Sequence, residues 1–209
     1  MLKYIFFDIG YTLVNEDRVW EQRCKEQAQT AEAKALGLTP ERIYQEIVQA
    51  SLRCLPQYRT VIEKFHLHEA VPYRHELESL YADAPEVLAA LSKRCSLGII
   101  ANQSEGLQER LRQWGIAQYF SVVVSSWDCR AAKPDPRIFE LALERANCRP
   151  HEAMMVGDRL DNDICPAKAL GYQTAWIKNG FGGMQVPSSQ AQTADFEIRS
   201  LTQLLEILA

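Results

Sequence analysis

The chain has 209 residues, of which 47% are hydrophobic and 24% charged, and its formal net charge is -4. This composition is typical of a soluble globular protein, and the negative charge argues against a nucleic-acid-binding surface. No apolar stretch approaches the roughly 18 residues needed to span a bilayer. The first predicted strand begins almost at Met1, so we expect no signal peptide. We therefore expect a cytoplasmic protein that binds neither nucleic acid nor membrane.

The six cysteines are scattered along the chain, with no CxxC pair and no paired Cys/His spacing. This pattern argues against a structural zinc site. Reduced thiols in a cytosolic protein are the expected state of these residues.

The first apolar run, Tyr4 to Phe7, is short and rich in aromatic residues, and Asp8 follows it directly. Such a run predicts a strand buried on both faces of a sheet. Asp8 would then lie at the carboxyl end of the strand, where open parallel sheets bind their ligands. Taken alone, an aspartate at this point is equally compatible with a simple turn.

Residues 15 to 81 have few β-branched runs and predict a block of helices inserted after the first strand. Gly37 is a typical helix end, and Thr39 followed by Pro40 is a typical helix start. We expect helices over Asp17–Leu36, from Pro40 to about Pro56, over Thr60–Phe65 and over Tyr73–Tyr81.

From Asp83 onward, predicted helices and strands alternate. The strands are expected at Leu97–Ala101, Val122–Val124, Ala153–Val156, Gln173–Ile177 and, as a weak edge strand, Phe196–Ile198. The helices are expected from Ala84, and over Ser104–Trp114, Pro136–Ala146, Ile164–Leu170 and Leu201–Leu208. This alternation predicts an α/β fold, with a parallel sheet covered by helices on both faces.

Polar side chains follow several of these strands. Asn102 follows one strand, Asp158 and Asp163 follow another, and Lys133 precedes a helix that starts with proline. In a parallel sheet these positions meet at one edge, close to Asp8. Several carboxylates in a small space need a cation, and an all-oxygen cluster suits Mg²⁺.

The ordered set of motifs resembles the haloacid dehalogenase-like (HAD) hydrolase superfamily. The motifs are Asp8-x-Gly10-x-Thr12-Leu13, Asn102 after a strand, Lys133-Pro134, and Gly157-Asp158-x-x-x-Asn162-Asp163. The resemblance covers essentially the whole chain. It implies a Rossmann-like core formed by residues 1–14 and 82–209, and an inserted α-helical cap of the C1 type formed by residues 15–81.

The resemblance also implies phosphoryl transfer to Asp8, the nucleophile, with Mg²⁺ as cofactor. A carboxylate needs no base to activate it, and the aspartyl-phosphate splits hydrolysis into two steps. The metal would be held by Asp8, the main-chain carbonyl of Gly10, and Asp158. Asp163 would belong to the metal site as a neighbour of these ligands. The substrate would be a small phosphorylated compound.

Two further residues are implied to act on the phosphoryl group. Lys133 would neutralise charge on both Asp8 and the transferring group, which makes it both catalytic and phosphate-binding. Asn102 would contribute to phosphate binding.

The sequence departs from the pattern of the superfamily at Gly10. Its phosphatases carry a second aspartate there, which protonates the leaving group and later deprotonates the attacking water. A positioned acid/base of this kind typically contributes about 10²–10⁴-fold. The nearest replacements in the chain are Tyr11, Glu16 and Asp17. If the missing group limits the rate, Gly10→Asp is expected to raise turnover.

A second departure lies at Ala101, where the superfamily usually has a serine or threonine whose hydroxyl binds the phosphoryl group. Losing one such donor costs on the order of 10²-fold in a tight oxyanion site. Main-chain N–H groups near Asn102, or the Ser104 hydroxyl, are the candidates to compensate.

These departures leave three interpretations. The favoured one is a Mg²⁺-dependent phosphatase that takes its acid/base from elsewhere or acts on substrates with good leaving groups. The second is a catalytically weak or inactive member that binds metal and a phosphorylated ligand. The third is a 2-haloacid dehalogenase, which also lacks the second aspartate. It ranks last because that branch works without Mg²⁺, whereas this chain keeps Asp158 and Asp163.

Overall fold

The computed structural model of the chain describes residues 2–208. Met1 and Ala209, at the two ends of the predicted core, lie outside the described residues. The strands are β1 (Tyr4–Phe7), β2 (Val14–Asn15), β3 (Ser79–Leu80), β4 (Ser96–Ala101), β5 (Phe120–Ser125), β6 (Ala153–Gly157), β7 (Gln173–Ile177) and β8 (Phe196–Ile198). The α-helices are α1 (Asp17–Gln29), α2 (Ala31–Ala35), α3 (Pro40–Leu52), α4 (Gln57–Lys64), α5 (Ala84–Leu91), α6 (Leu107–Gln113), α7 (Ser126–Cys129), α8 (Pro136–Ala146), α9 (Cys165–Ala169) and α10 (Gln203–Ile207).

Six strands form one parallel sheet in the order β5-β4-β1-β6-β7-β8, so β1 lies inside it with β4 and β6 as neighbours. Helices cover both faces. Ile5 and Phe7 pack with α5, α6 and α10 on one face, while Phe6 packs with α8 and α9 on the other. Alternate residues of β1 thus enter two different cores, because successive side chains of a strand point to opposite faces. The predicted α/β parallel-sheet fold is confirmed.

The register of the sheet places the carboxyl ends of β1, β4 and β6 next to one another. Phe7, the last residue of β1, pairs with Ile99 of β4 and with Val156 of β6. The N–H of Asp8 continues this pairing, since it donates to the carbonyl of Val156 at 2.9 Å. The residues that follow β1, β4 and β6 therefore emerge side by side.

Helices α1, α3 and α4 pack around a separate apolar cluster that includes Trp20, Cys24, Ile43, Ile47 and Val61. The chain leaves the sheet for these helices through β2 and returns through β3, and the two strands pair antiparallel. We call this two-stranded ribbon the hinge ribbon. The division into a core of residues 1–14 and 82–209 and a cap of residues 15–81 stays a prediction, and its boundaries fall on or beside this ribbon.

Two helix predictions within this block need correction. The helix predicted over Asp17–Leu36 is broken at Thr30, whose hydroxyl accepts the N–H of Ala33 and caps α2. The prediction of a helix over Tyr73–Tyr81 is wrong, because the segment forms a short 3₁₀ turn, His75–Leu77, followed by β3. The pairing of β3 with β2 is a long-range contact, and it outweighs the local helical preference of this segment. No helix within residues 2–208 combines the length and the apolar character that crossing a membrane requires.

Candidate active site

Three carboxylates meet at the carboxyl edge of the sheet. Asp8 follows β1, Asp158 follows β6, and Asp163 lies in a π-helical turn, Leu160–Ile164, one step further along. Each can offer an oxygen, and these oxygens lie within 4.8 Å of one another. Three like charges this close repel one another strongly in a buried site, so the arrangement calls for cations.

Lys133, from the loop before α8, supplies one of those cations. Its Nζ lies 2.7 Å from Asp8 Oδ1 and 2.5 Å from Asp163 Oδ1, and its side chain is buried. Burial by itself would lower the pKa of Lys133, but the carboxylates of Asp163 and Asp8 outweigh it and the pKa is raised. Lys133 is therefore held as a charged ammonium between the two acids.

Asn102 fixes the main chain of Lys133. Its side-chain Oδ1 accepts the Lys133 N–H at 2.7 Å, and its Nδ2 donates to the Lys133 carbonyl at 2.9 Å. The amide at the end of β4 thus sets the position of the lysine loop. The second N–H of Nδ2 and the main-chain N–H are the donors that Asn102 has left for a phosphoryl group.

Asp163 is positioned by its own turn and by a glycine. Its Oδ2 accepts the N–H of Arg159 at 3.0 Å. A Cβ at Gly157, the last residue of β6, would collide with the Asp163 side chain. The glycine before Asp158 is therefore a requirement of space, since it lets Asp163 lie directly against the end of the strand.

Asp158 is buried, yet among residues 2–208 no hydrogen bond or ion pair involves its carboxylate. Burial, together with the charges of Asp163 and Asp8, raises the pKa of Asp158 well above its usual range. A buried carboxylate without a donor, beside two further carboxylates, is a donor set of hard oxygens that fits Mg²⁺. Gly10 lines the same cavity, as the predicted carbonyl ligand requires.

A cavity of about 710 Å³ opens over this edge of the sheet. Asp8, Lys133 and Asp158 line it, and its walls include side chains that were not assigned to the site from the sequence. These are Trp20, Cys54, Gln57, Tyr73, His75 and Phe181. The aromatic residues among them belong to, or pack against, the apolar cluster of the inserted helices, and no local sequence pattern separates them from ordinary core residues.

Comparison with known proteins agrees with this geometry. The model of the haloacid dehalogenase-like hydrolase family matches residues 5–177. The chain belongs to this family. The resemblance seen in the sequence motifs is thereby confirmed.

Relatives of this hydrolase carry more than one activity. A glyceraldehyde 3-phosphate phosphatase of Methanopyrus kandleri is 28% identical over 227 residues, which cover 100% of this chain and 97% of the relative. The structure of a HAD phosphatase from Thermococcus onnurineus is 27% identical, with a TM-score of 0.69 and coverage of 100% and 98%. A 2-haloacid dehalogenase from Pseudomonas syringae is 25% identical, with a TM-score of 0.66 and the same coverage.

Gly10 stands where the motif resemblance implies an aspartate. A Cβ built there would lie 2.9 Å from the carboxylate carbon of Glu16 and closer still to its Oε1. Gly10 is not among the residues with positive φ, so its backbone conformation does not demand glycine. The carboxylate of Glu16 lies where the side chain of residue 10 would begin.

Glu16 lies between β2 and α1 and is buried. Its Oε2 accepts the indole N–H of Trp20 at 2.9 Å. Burial raises the pKa of Glu16 to about 7, although hydrogen bonds from Trp20 and Tyr73 act in the opposite direction. An aspartate at residue 10 would force the Glu16 carboxylate to move, and the expectation that Gly10→Asp raises turnover took no account of this contact.

The other two acid/base replacements considered from the sequence are engaged elsewhere. The Tyr11 hydroxyl donates to Asp17 Oδ1 at 3.1 Å, and burial followed by the charge of Asp17 raises the Tyr11 pKa. Asp17 also accepts one hydrogen bond from the side-chain amide of Asn15. Of the three replacements, Glu16 alone has its carboxylate at the position of the missing side chain.

Ala101 is fully buried at the end of β4 and offers no side-chain donor. The hydroxyl of Ser104 lines the cavity and forms a hydrogen bond of 2.8 Å with His75 Nε2. Gln103 donates its N–H to Ser126 Oγ at 3.1 Å. Asn102, Gln103 and Ser104 all line the cavity, and the roles of the Ser104 hydroxyl and of the main-chain N–H groups in phosphate binding stay predictions.

Proposed function

We propose that this hydrolase is a Mg²⁺-dependent phosphatase that acts on a small phosphorylated compound through an aspartyl-phosphate on Asp8. One observation carries the proposal. The Asp8 carboxylate lies at the end of a central strand, bound to Lys133 at 2.7 Å and within 4.8 Å of oxygens of Asp158 and Asp163. A nucleophile, a fixed cation and a cluster of oxygen ligands are the parts that phosphoryl transfer needs.

In the proposed reaction, Asp8 attacks the phosphorus atom and the bond to the leaving oxygen breaks. Lys133 contacts Asp8 directly, so it would stabilise the negative charge that develops on the transferring group. Water then attacks the aspartyl-phosphate, which releases phosphate and regenerates the Asp8 carboxylate. The low exposure of Lys133 and Asp163 keeps these interactions strong, since they are little screened by solvent.

The metal would be held by Asp8, Asp158 and the main-chain carbonyl of Gly10, with Asp163 tied to Lys133 behind them. When bound, Mg²⁺ supplies positive charge that lets an anionic substrate approach an anionic nucleophile. The unpartnered carboxylate of Asp158 supports this assignment. It also counts against the dehalogenase interpretation, because carbon attack by Asp8 has no use for a metal-binding carboxylate at that position.

The test is release of phosphate from acetyl phosphate and from a panel of alkyl and sugar phosphomonoesters, with MgCl₂ and with EDTA. We expect Mg²⁺-dependent turnover that Asp8→Asn abolishes. The matched control is Asp17→Asn, the same chemical change at a carboxylate bound to Tyr11 rather than to Lys133. No phosphate release from any compound, with Mg²⁺ binding retained, would contradict the proposal and favour an inactive binding protein.

Halide release from a 2-haloacid without metal is the second arm of the same experiment. The phosphatase proposal predicts none. Halide release that depends on Asp8 and is indifferent to EDTA would replace the proposal with the dehalogenase reaction.

A further inference from the structure

We propose that Glu16 is the proton-transfer catalyst of this hydrolase and replaces the side chain that Gly10 lacks. The inference rests on the proposed phosphatase function and names the residue that completes it. Glu16 would protonate the leaving oxygen in the first step and take a proton from the attacking water in the second.

The space beside residue 10 is occupied by the carboxylate of Glu16. The Glu16 carboxylate carbon lies 2.9 Å from where a Cβ of residue 10 would be, with Oε2 at 3.2 Å and Oε1 nearest of all. Real Cβ atoms do not approach other heavy atoms this closely. A side chain at residue 10 would therefore force the Glu16 carboxylate to move, so carboxylates at positions 10 and 16 compete for the same place in the cavity.

The carboxylate of Glu16 is also held in place. Trp20 Nε1 donates to Oε2 at 2.9 Å within the buried first turn of α1. Oε1 is the oxygen turned toward Gly10. One oxygen is thus anchored by the indole, while the other lies on the side of the Asp8 loop. The Glu16 carboxylate is therefore fixed against the segment that carries Asp8 and Gly10, which is where a proton-transfer group would act.

Glu16 reaches this place through the hinge ribbon. Val14 and Asn15 pair with Leu80 and Ser79, and Glu16 is the next residue before α1. The ribbon brings the start of the inserted helices back over the Asp8 loop. Asp8, Gly10 and Glu16 consequently line one cavity.

The two steps balance with Glu16 in this role. In the first, a bond forms between Asp8 and phosphorus, the bond to the leaving oxygen breaks, and that oxygen takes the proton of the Glu16 carboxyl group. In the second, water forms a bond to phosphorus as its proton passes to the Glu16 carboxylate. The bond to Asp8 breaks with its electron pair returning to the carboxylate, so both acids end as they began.

The experiment exchanges the carboxylate between the two positions. The variants are Glu16→Gln, Glu16→Ala, Gly10→Asp and the double change Gly10→Asp with Glu16→Ala, and thermal unfolding verifies that each is folded. Turnover is measured on the alkyl phosphomonoester that the wild type hydrolyses fastest. Asp17→Asn again serves as the control for loss of a neighbouring acid.

We expect Glu16→Gln and Glu16→Ala to lower kcat by about 10²–10⁴-fold, the usual contribution of a positioned acid/base. The amide oxygen introduced by Glu16→Gln can still accept the Trp20 hydrogen bond, so the loss in this variant isolates the proton. Gly10→Asp alone should also lower kcat, because two carboxylates compete for one space. The double variant should recover a large part of the wild-type rate.

A second readout separates catalysis from a structural role. The first turnover of Glu16→Gln should be slow for alkyl phosphates, whose alkoxide needs a proton to depart. It should be close to the wild-type rate for acetyl phosphate, whose carboxylate leaves without one. A merely structural Glu16 would slow both substrates equally, which would overturn the inference.

Three further results would also overturn it: a Glu16→Gln variant within a few-fold of wild type, a folded double variant that shows no rescue, or a wild type that hydrolyses acetyl phosphate but no alkyl phosphomonoester. In each of these the wild type still releases phosphate, so the phosphatase proposal survives. A wild type inactive on every compound would instead remove the function on which the inference rests.

Discussion

The two halves of the candidate site are built in different ways. The sheet-edge half consists of Asp8, Lys133, Asp158 and Asp163, placed by strand register and by the short turns that follow β1 and β6. The hinge half, with Gly10 and Glu16, is assembled where the inserted helices begin. The first half resembles the family motifs in sequence, whereas Gly10 in the second half lacks the carboxylate that the resemblance implies there. In our proposal, Glu16, a residue outside the motif, supplies that carboxylate.

The sheet-edge half can be broken at Asp158, where we expect the largest effect. Asp158→Asn should abolish Mg²⁺-dependent turnover, with a loss of about 10³-fold or more, because charge stabilisation is the largest single contribution in such sites. The effect on stability should be the reverse of the effect on turnover. In EDTA, thermal unfolding should show Asp158→Asn to be more stable than wild type, since the variant removes one of three crowded carboxylates.

Mg²⁺ titration completes this prediction. The metal should raise the melting temperature of the wild type, as any ligand that binds only the folded state does, and should leave Asp158→Asn unchanged. Equal stabilisation of both proteins by Mg²⁺ would show that the carboxylate cluster is not the metal site.

The role of the hinge half can be tested at Trp20, where we expect a smaller effect on kcat. Trp20→Phe removes the hydrogen bond to Glu16 Oε2 but leaves both oxygens of the carboxylate in place. We expect kcat to fall by about tenfold, less than for Glu16→Gln, because a group that is misplaced still acts, although less effectively. Steady-state kinetics of both variants on an alkyl phosphomonoester measure the two losses in kcat. A Trp20→Phe loss as large as that of Glu16→Gln would mean that Glu16 serves only to hold the indole.

The same contrast explains how much could be predicted from the sequence. The bounds of β1, β7 and α8 were predicted to the residue, because local patterns and capping residues determine them. The meeting of Asp8, Asp158 and Lys133 followed from the rule that parallel strands share one carboxyl edge. Both inferences use information that lies close together along the chain.

What escaped sequence reasoning depends on long-range pairing. The strand β3 was predicted as helix, because its partner β2 lies at the other end of the inserted block. Glu16 was one of three possible replacements for the missing acid, and no local pattern distinguishes it from Tyr11 or Asp17. The distinction came from the steric contact between Glu16 and the Cβ position of Gly10, which only the folded chain contains.

The most direct test of this division of roles is the phosphorylation state of Asp8 during turnover. Wild type and Glu16→Gln are mixed with acetyl phosphate and Mg²⁺, quenched in acid and mapped by peptide mass spectrometry. The account predicts a phosphoryl group on Asp8 that accumulates in Glu16→Gln, because the sheet edge still forms the intermediate while the base that activates water is gone. A phosphoryl group on another residue, on neither protein, or equally on both would contradict it.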